Sequence, residues 1–508
     1  MSKFTKHHPV ILFPGIAGSR LKTRKEGKQD AHPLWFNSIV LAGMSESSSN
    51  DASAQEVDDF TFPASSIVES DKTEADLQGI GVTPSKTWQE HMKLQADGIT
   101  PKKEANGGEK FNREVEGLEG IKNVSYPLLG LKPDEKSDYY QALVDKLKAN
   151  GYQENVDLIG HPYDWRVAPG GLERRYQTFT NLKTKIEELY TNSQLPIVLI
   201  AHSMGNRVVQ YFLKWIETNA SEGWVDKYIE RYIAISPPWI GAPQAIYRLS
   251  DSPIVLPTGK SQVALKGMKD VLQSFSSIPW LLPLQDQYFN TESFGYYKDG
   301  EFYEQDLSRY RAITMQETLV KVDAQNTTLK YQTDFYQNDP LITDQTAKKI
   351  GSELIKCPAV NKLDVIYSTG FETPVGAYYE YKGLEENKVL TIATNLGGKN
   401  AVPYPHRDDL TIKKGIILET PATKQQIEVE VADRAKLQNS GDSVVPYGSL
   451  TYFKKWQKEE PNRHIVGHEF SAQPTSDGVQ YPSVNHNAIV AHPDVITKII
   501  KLLSESNA

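Results

Sequence analysis

The sequence predicts an α/β fold: a mostly parallel sheet with helices on both faces, carrying lid and cap insertions. Three observations lead there. Short apolar runs alternate with stretches whose apolar residues recur at helical spacing, the pattern of strands joined by crossover helices. The central run, Ile197-Val198-Leu199-Ile200, lacks polar alternation, as expected of a strand covered on both faces. That run stops at a turn of small residues around a serine, Ala201-His202-Ser203-Met204-Gly205. A helix with Val208, Val209, Tyr211, Phe212, Trp215 and Ile216 on its apolar face then departs.

In chain order, Pro9 to Phe13 is a short strand, broken by Pro14-Gly15-Ile16-Ala17-Gly18-Ser19. A glycine-bearing loop straight after a strand can turn backbone N–H groups toward a site. Residues 45–125 are dominated by Ser, Asp, Glu, Lys and Gly and read as a polar, lid-like insertion. Regular structure is expected to return at Tyr126. Ser137 is placed to cap a helix with Tyr140, Leu143, Val144 and Leu147 on one face, ending at Gly151. Val156 to Ile159 is the next strand. Leu172 to Tyr190 reads as one amphipathic helix with Tyr176, Phe179, Leu182, Ile186 and Leu189 as its buried stripe. The strand Tyr232 to Ile235 follows the serine turn and its helix.

Residues 250–355 break the alternation and lie between two sheet strands, so they read as a cap over the active face. Val365-Ile366-Tyr367 resumes the sheet. Residues 375–437, with the alternating run Gln426 to Val431, read as a β insertion, and Val495 to Leu503 as a closing helix. Residues 1–44, 126–249 and 356–508 then make up the core.

Composition narrows the functions. Of 508 residues, 56 are basic and 64 acidic, a formal charge of −8 with no long run of one sign, which points away from nucleic acid. No apolar run approaches the roughly 18 residues of a spanning helix, so none is expected. The four apolar residues from Val10 to Phe13 fall short of the roughly 7–15 that a secretion signal needs. One cysteine, Cys357, allows no intrachain disulfide and fits a reducing compartment. A cytoplasmic location is therefore expected, with membrane association left open. No residue cluster has metal-ligand spacing, so neither a metal nor a cofactor is expected.

A serine is a poor nucleophile until a histidine takes its proton, and that histidine needs a carboxylate to hold its tautomer. In α/β-hydrolases these follow in the order serine, acid, histidine, with the acid on a late loop. Asp442, within Asn439-Ser440-Gly441-Asp442-Ser443-Val444-Val445-Pro446, is the candidate acid. Asp364 competes, but it precedes a strand and would sit at the wrong end of the sheet. Among the late histidines, His486 lies in Ser483-Val484-Asn485-His486-Asn487-Ala488-Ile489-Val490, a loop opening into a short apolar helix, where a base is expected. His492, before Pro493, reads as a helix stop. His464 and His468, after a charged run, read as surface groups, and His202 as a packing residue beside the serine.

Several separated segments then resemble one family. They are Val10 to Leu21, His161-Pro162-Tyr163-Asp164-Trp165-Arg166, Ala201 to Asn206 and Pro237-Pro238-Trp239-Ile240-Gly241-Ala242-Pro243. Tyr367-Ser368-Thr369-Gly370, Gly441 to Pro446 and Asn485 to Ile489 complete the set. The chain resembles the lecithin:cholesterol acyltransferase family, which includes lysosomal phospholipase A2 and the phospholipid:diacylglycerol acyltransferases. The serine turn alone would suit many hydrolases; the Tyr-Asp-Trp-Arg motif is far more specific. The resemblance implies Ser203, Asp442 and His486 as the triad, with the Ile16 and Met204 N–H groups as the oxyanion hole. It also implies Trp35 and Phe36 as an aromatic lid entry, and Asp164 with Arg166 as a structural ion pair. Two departures stand out: a disulfide-closed lid is impossible with one cysteine, and position 16, acidic in some members, is isoleucine here.

The expected function is serine-dependent acyl transfer on lipid esters, from a phospholipid-like donor to a hydroxyl acceptor or to water. A lipase or carboxylesterase acting on soluble esters is the alternative within enzymes, and a non-catalytic lipid-binding protein the alternative outside them. Partners are then a lipid ester and no nucleic acid, with oligomeric state open. The stretch Trp280 to Leu284 reads equally as a membrane-facing cap or as the cap's inner lining.

Overall fold

A computed structural model describes residues 7–24, 31–35, 67–69, 86–102, 113–123, 139–250, 254–257, 261–265, 267–284, 295–297, 311–323, 325–346, 351–382, 389–397, 401–404, 410–420, 440–471 and 484–506. Six strands form its central sheet: β1 (Val10–Phe13), β2 (Leu158–Gly160), β3 (Ile197–His202), β4 (Ile229–Ile235), β5 (Lys362–Thr369) and β6 (His464–Ser471). Their spatial order is β2-β1-β3-β4-β5-β6, and every adjacent pair is parallel. The chain lays down β1, steps outward to β2, then returns across β1 and builds in the other direction. The order reverses between β1 and β3, and in open α/β sheets the crevice beyond the strand ends at such a reversal is where ligands bind.

The strands feed two cores because successive side chains point to opposite faces. Ile11, Phe13, Leu199 and Ala201 enter one core, while Val10, Leu12, Val198 and Ile200 enter the other. Helices α1 (Gln141–Ala149) and α5 (Pro493–Ser506) cover the second face through Leu143, Leu147, Ile499 and Leu503. On the first face lie α2 (Pro169–Tyr176), α3 (Thr178–Ser193) and α4 (Gly205–Asn219), through Leu172, Phe179, Val208 and Phe212. This is the doubly covered parallel sheet of an α/β-hydrolase fold. Each such side chain contributes about 1.5–3 kcal/mol by leaving water.

Local structure departs from the sequence expectation in three places. The helix expected from Leu172 to Tyr190 is two helices, parted at Gln177, whose φ is 53°. The break is stabilised by Glu173, whose carboxylate accepts from Phe179 N (2.7 Å), Thr180 N (3.2 Å) and Thr180 Oγ1 (2.5 Å). The strand expected at Val156 is β2, two residues later. A turn in which Asp157 Oδ1 accepts from Gln153 N (2.6 Å) intervenes, leaving Val156 61% exposed. The α1 N-cap is Tyr140, with no side-chain cap, and Ser137 lies outside the described residues. His492 is the C-cap of the short 3-10 helix Ile489–Ala491, as expected, and it also opens α5, its carbonyl accepting from Ile496 N (2.9 Å) in the first turn.

A second sheet of seven strands, mostly antiparallel, is built around Thr373–Lys382. Gly295–Tyr297 pairs with it on one side and Ile416–Glu419 on the other. The stretches expected as cap and as β insertion thus share one sheet. The run Gln426 to Val431 and Tyr126 lie outside the described residues. Trp280 is fully buried, 4.7 Å from the Tyr336 ring and 5.5 Å from that of Tyr211, and Leu282 and Leu284 are buried as well. That stretch is an inner lining. Among the described residues, no helix is long and apolar enough to cross a membrane.

Candidate active site

Ser203 sits where β3 ends and α4 begins, beside the sheet's reversal point. Its φ of 53° is left-handed, a strained state for a non-glycine residue and costing on the order of 1 kcal/mol. Neighbours enforce it. Ser203 N donates to Ile235 O (3.0 Å), and Asn206 Nδ2 donates to both Ser203 O (2.9 Å) and Ile235 O (3.0 Å). Tyr232 Oη in turn donates to Asn206 Oδ1 (2.7 Å). The backbones approach most closely at Gly205, where a Cβ would lie 2.6 Å from Pro14 O and 2.8 Å from Phe13 O. Gly15 faces the serine itself: a Cβ there would be 2.8 Å from Ser203 Cβ. Ala201 is tolerated because it lies inside β3, paired with Phe13 and Ala234, below the tight point.

His486 joins the serine to a carboxylate. Its Nε2 lies 2.8 Å from Ser203 Oγ and its Nδ1 2.7 Å from Asp442 Oδ2. Since an ionised carboxylate only accepts, Nδ1 carries the proton and Nε2 is left to accept from the serine hydroxyl. Asp442 is fully buried, with His486 and Ser203 nearly so. The other carboxylate oxygen of Asp442 accepts from Val444 N (3.1 Å) and Val445 N (2.7 Å), and its carbonyl accepts from His486 N (2.8 Å). Sequence reasoning missed what holds this loop. Buried Glu419, at the end of the Ile416–Glu419 strand, accepts from Gly441 N (3.0 Å) and Tyr447 N (2.9 Å), and Thr373 Oγ1 accepts from Ser443 N (3.0 Å). A charge ending an apolar run was the available signal.

The loop after β1 is clamped from several sides. Tyr163 Oη donates to Pro14 O (2.8 Å), Trp165 Nε1 to Ser19 O (3.1 Å), and Tyr140 Oη to Phe13 O (2.9 Å). Arg166 and Asp164 are fully buried and paired through two bonds of 2.7 and 2.8 Å, and Arg166 Nη1 reaches Met92 O (3.1 Å). The Tyr-Asp-Trp-Arg motif therefore holds the loop facing the serine. Among the described residues, the N–H groups of Ile16 and Met204 have no hydrogen-bond partner. They lie on the two backbone segments that flank Ser203.

His202 does more than pack. Its Nε2 donates to the His486 carbonyl (2.9 Å), so Nδ1 is left to accept from Tyr139 Oη (2.5 Å), whose oxygen accepts from Gly15 N (2.9 Å). Burial, and then the neighbouring His486 ring, hold its pKa far below the ordinary histidine range, which keeps it neutral. A chain of hydrogen bonds thus runs from the loop beside the serine to the backbone of His486.

The remaining candidates lie elsewhere. Asp364 is inside β5, paired with Arg231 Nη1 and with His468 Nε2 (2.8 Å). His468 is therefore no surface group: its side chain is only 13% exposed, whereas that of His464 is 42% exposed and lies 3.5 Å from Asp364. Trp35 ends the strand Ala31–Trp35, while Phe36 lies outside the described residues. Cys357 is partly buried, and its thiol pKa is pushed up to about 12, chiefly by burial, which makes it unreactive. Among the described residues, no three His, Cys, Asp or Glu side chains are grouped to hold a metal ion.

Comparison with known proteins completes the picture. The family model described as lecithin:cholesterol acyltransferase matches residues 76–493. A lysosomal phospholipase A and acyltransferase of Bos taurus is 30% identical over 258 residues, covering 49% of this chain and 54% of the relative. A phospholipid–sterol O-acyltransferase of Arabidopsis thaliana is 26% identical over 381 residues, 65% of this chain and 55% of that protein. A phospholipid:diacylglycerol acyltransferase of Saccharomyces cerevisiae is 30% identical over 186 residues, 32% of this chain and 28% of its own length. The chain spans about half the length, or less, of the curated relatives it matches.

Proposed function

This chain belongs to the lecithin:cholesterol acyltransferase family, and from that premise we propose that it is a serine-dependent enzyme of acyl transfer on lipid esters. The observation that carries the reading is the buried chain of hydrogen bonds from Asp442 through His486 to Ser203, at 2.7 and 2.8 Å. Ser203 attacks the ester carbonyl while His486 takes its proton, and Asp442 stabilises the resulting imidazolium. The Ile16 and Met204 N–H groups receive the oxyanion, helped by the N-terminus of α4. His486 then protonates the departing lysolipid. In the second half it removes the proton from a hydroxyl acceptor or from water, which collects the acyl group.

The relatives' names support a phospholipid-like donor, and two of them name a sterol or a diacylglycerol. A donor of that kind implies peripheral contact with a membrane or vesicle. Because Trp280, Leu282 and Leu284 are buried, that contact falls to other residues. With a single cysteine, a reducing, cytoplasmic setting is part of the same proposal.

The test uses purified protein, phosphatidylcholine vesicles labelled in each acyl chain, and a long-chain alcohol or sterol, with Ser203→Ala as the blank. New ester in excess of fatty acid makes the protein a transferase, and fatty acid alone makes it a phospholipase. The variant should lose turnover by on the order of 10⁴–10⁶. Undiminished activity in Ser203→Ala would overturn the assignment.

A further inference from the structure

Among the described residues, Arg207 is an unusual charge. It lies in the first turn of α4, four residues beyond Ser203, and is fully buried. Its Nη1 donates to Gln210 Oε1 (3.2 Å), a neutral amide that is itself held by Leu354 O (2.9 Å). Among the described residues, its Nε and Nη2 have no partner and no carboxylate pairs with it. A guanidinium stays protonated, so among the described residues this is a buried cation without a counter-charge, an unfavourable situation. Helix position makes the imbalance worse. The N-terminus of α4 is positive, its first turn contains no acidic residue, and Arg207 adds a second positive charge there.

The titratable groups whose charge acts on the guanidinium are phenols. Tyr232 is already engaged with Asn206, but Tyr336, from the segment between β4 and β5, is fully buried with an unpartnered hydroxyl. Water could accept hydrogen bonds from these donors, but it would not balance the charge. We propose that Arg207, the first turn of α4 and the Tyr336 hydroxyl form a buried site for a small monovalent anion of halide size. One cation calls for one negative charge. A sulfate or phosphate would overcompensate it and bring a far larger dehydration cost into a closed interior. Bound there, the anion bridges the helix that follows Ser203 to the segment that carries Tyr336.

Crystals of the full-length protein soaked in sodium bromide supply the deciding reading. An anomalous bromine peak within hydrogen-bonding reach of Arg207 Nε or Nη2 is expected, and a map at saturating bromide without one overturns the proposal. In solution, the wild-type Tm should be higher in sodium chloride than in sodium gluconate of equal ionic strength, by about 1–2 °C. Arg207→Met should abolish that difference, which separates site binding from general salt effects. Equal wild-type Tm in the two salts would count against the site as well. Should the variant fail to fold, the wild-type bromide map decides alone.

Discussion

Two buried aspartate–histidine pairs stand by the same sheet, one within its strands and one in loops beside it, and only the second faces a nucleophile. Asp442 meets His486 at 2.7 Å and Asp364 meets His468 at 2.8 Å, and both aspartates are at least 99% buried. The difference lies in what surrounds them. The second oxygen of Asp442 is held by two neutral backbone N–H groups, and the far nitrogen of His486 ends on Ser203 Oγ. Asp364 instead meets the Arg231 guanidinium, with His464 within 3.5 Å. Its negative charge is spent on a fixed cation, and it sits toward the start of β5, away from the strand end that carries the serine. An aspartate–histidine pair therefore acquires chemistry from its third partner and from the end of the sheet it occupies.

The strongest way to break that contrast is to neutralise each carboxylate in turn. Asp442→Asn should leave a folded protein whose kcat on a lipid ester falls by about 10⁴, because the histidine loses its tautomer. Asp364→Asn should stay within about threefold of wild type, since losses of this size follow only from touching the reacting chain. A collapse of kcat in Asp364→Asn with intact fold would erase the distinction. Stability reverses the ranking. Asp364→Ala leaves the Arg231 charge buried and unpaired, and should cost about 3–5 kcal/mol in urea unfolding.

A smaller effect sharpens the comparison from the acid's side. Glu419 holds the Asp442 loop from a different sheet through Gly441 N and Tyr447 N. Glu419→Gln turns an acceptor partly into a donor and should displace the loop by a fraction of an ångström. We expect kcat to fall by about 10-fold with KM unchanged, as for lost transition-state positioning. A rise in KM alone would make Glu419 a binding residue instead.

Legibility in the sequence followed range. The serine turn, β3 and α4 are local, so apolar run, small residues and helical stripe could be read in one window. Asp442 and His486 were found through chain order and loop context, although 283 residues separate His486 from the serine it bonds. The supports were not legible. Tyr139 meets His202 across 63 positions and Gly15 across 124, and a tyrosine just before an apolar helix looks like any core tyrosine. The break at Gln177 was hidden because the apolar stripe continues through it, while Glu173, which stabilises it, looks like a solvated charge. His468 was read as exposed because a charged run precedes it, but its partners lie on other strands.

The finest prediction concerns acid. Arg231, His464 and His468 face Asp364, and although burial opposes ionisation, His468 first and Arg231 next hold its pKa below the ordinary carboxylate value. A carboxyl depressed on folding contributes stability that is complete above its unfolded value, about 3.9, and is lost as pH falls through the lower folded value. The stability gap between wild type and Asp364→Asn should therefore shrink steadily as pH falls from about 5 to about 2. If the Asp364 gap stays constant across that range while both proteins remain two-state, the guanidinium does not stabilise that carboxylate. The contrast between the two pairs would then rest on location alone.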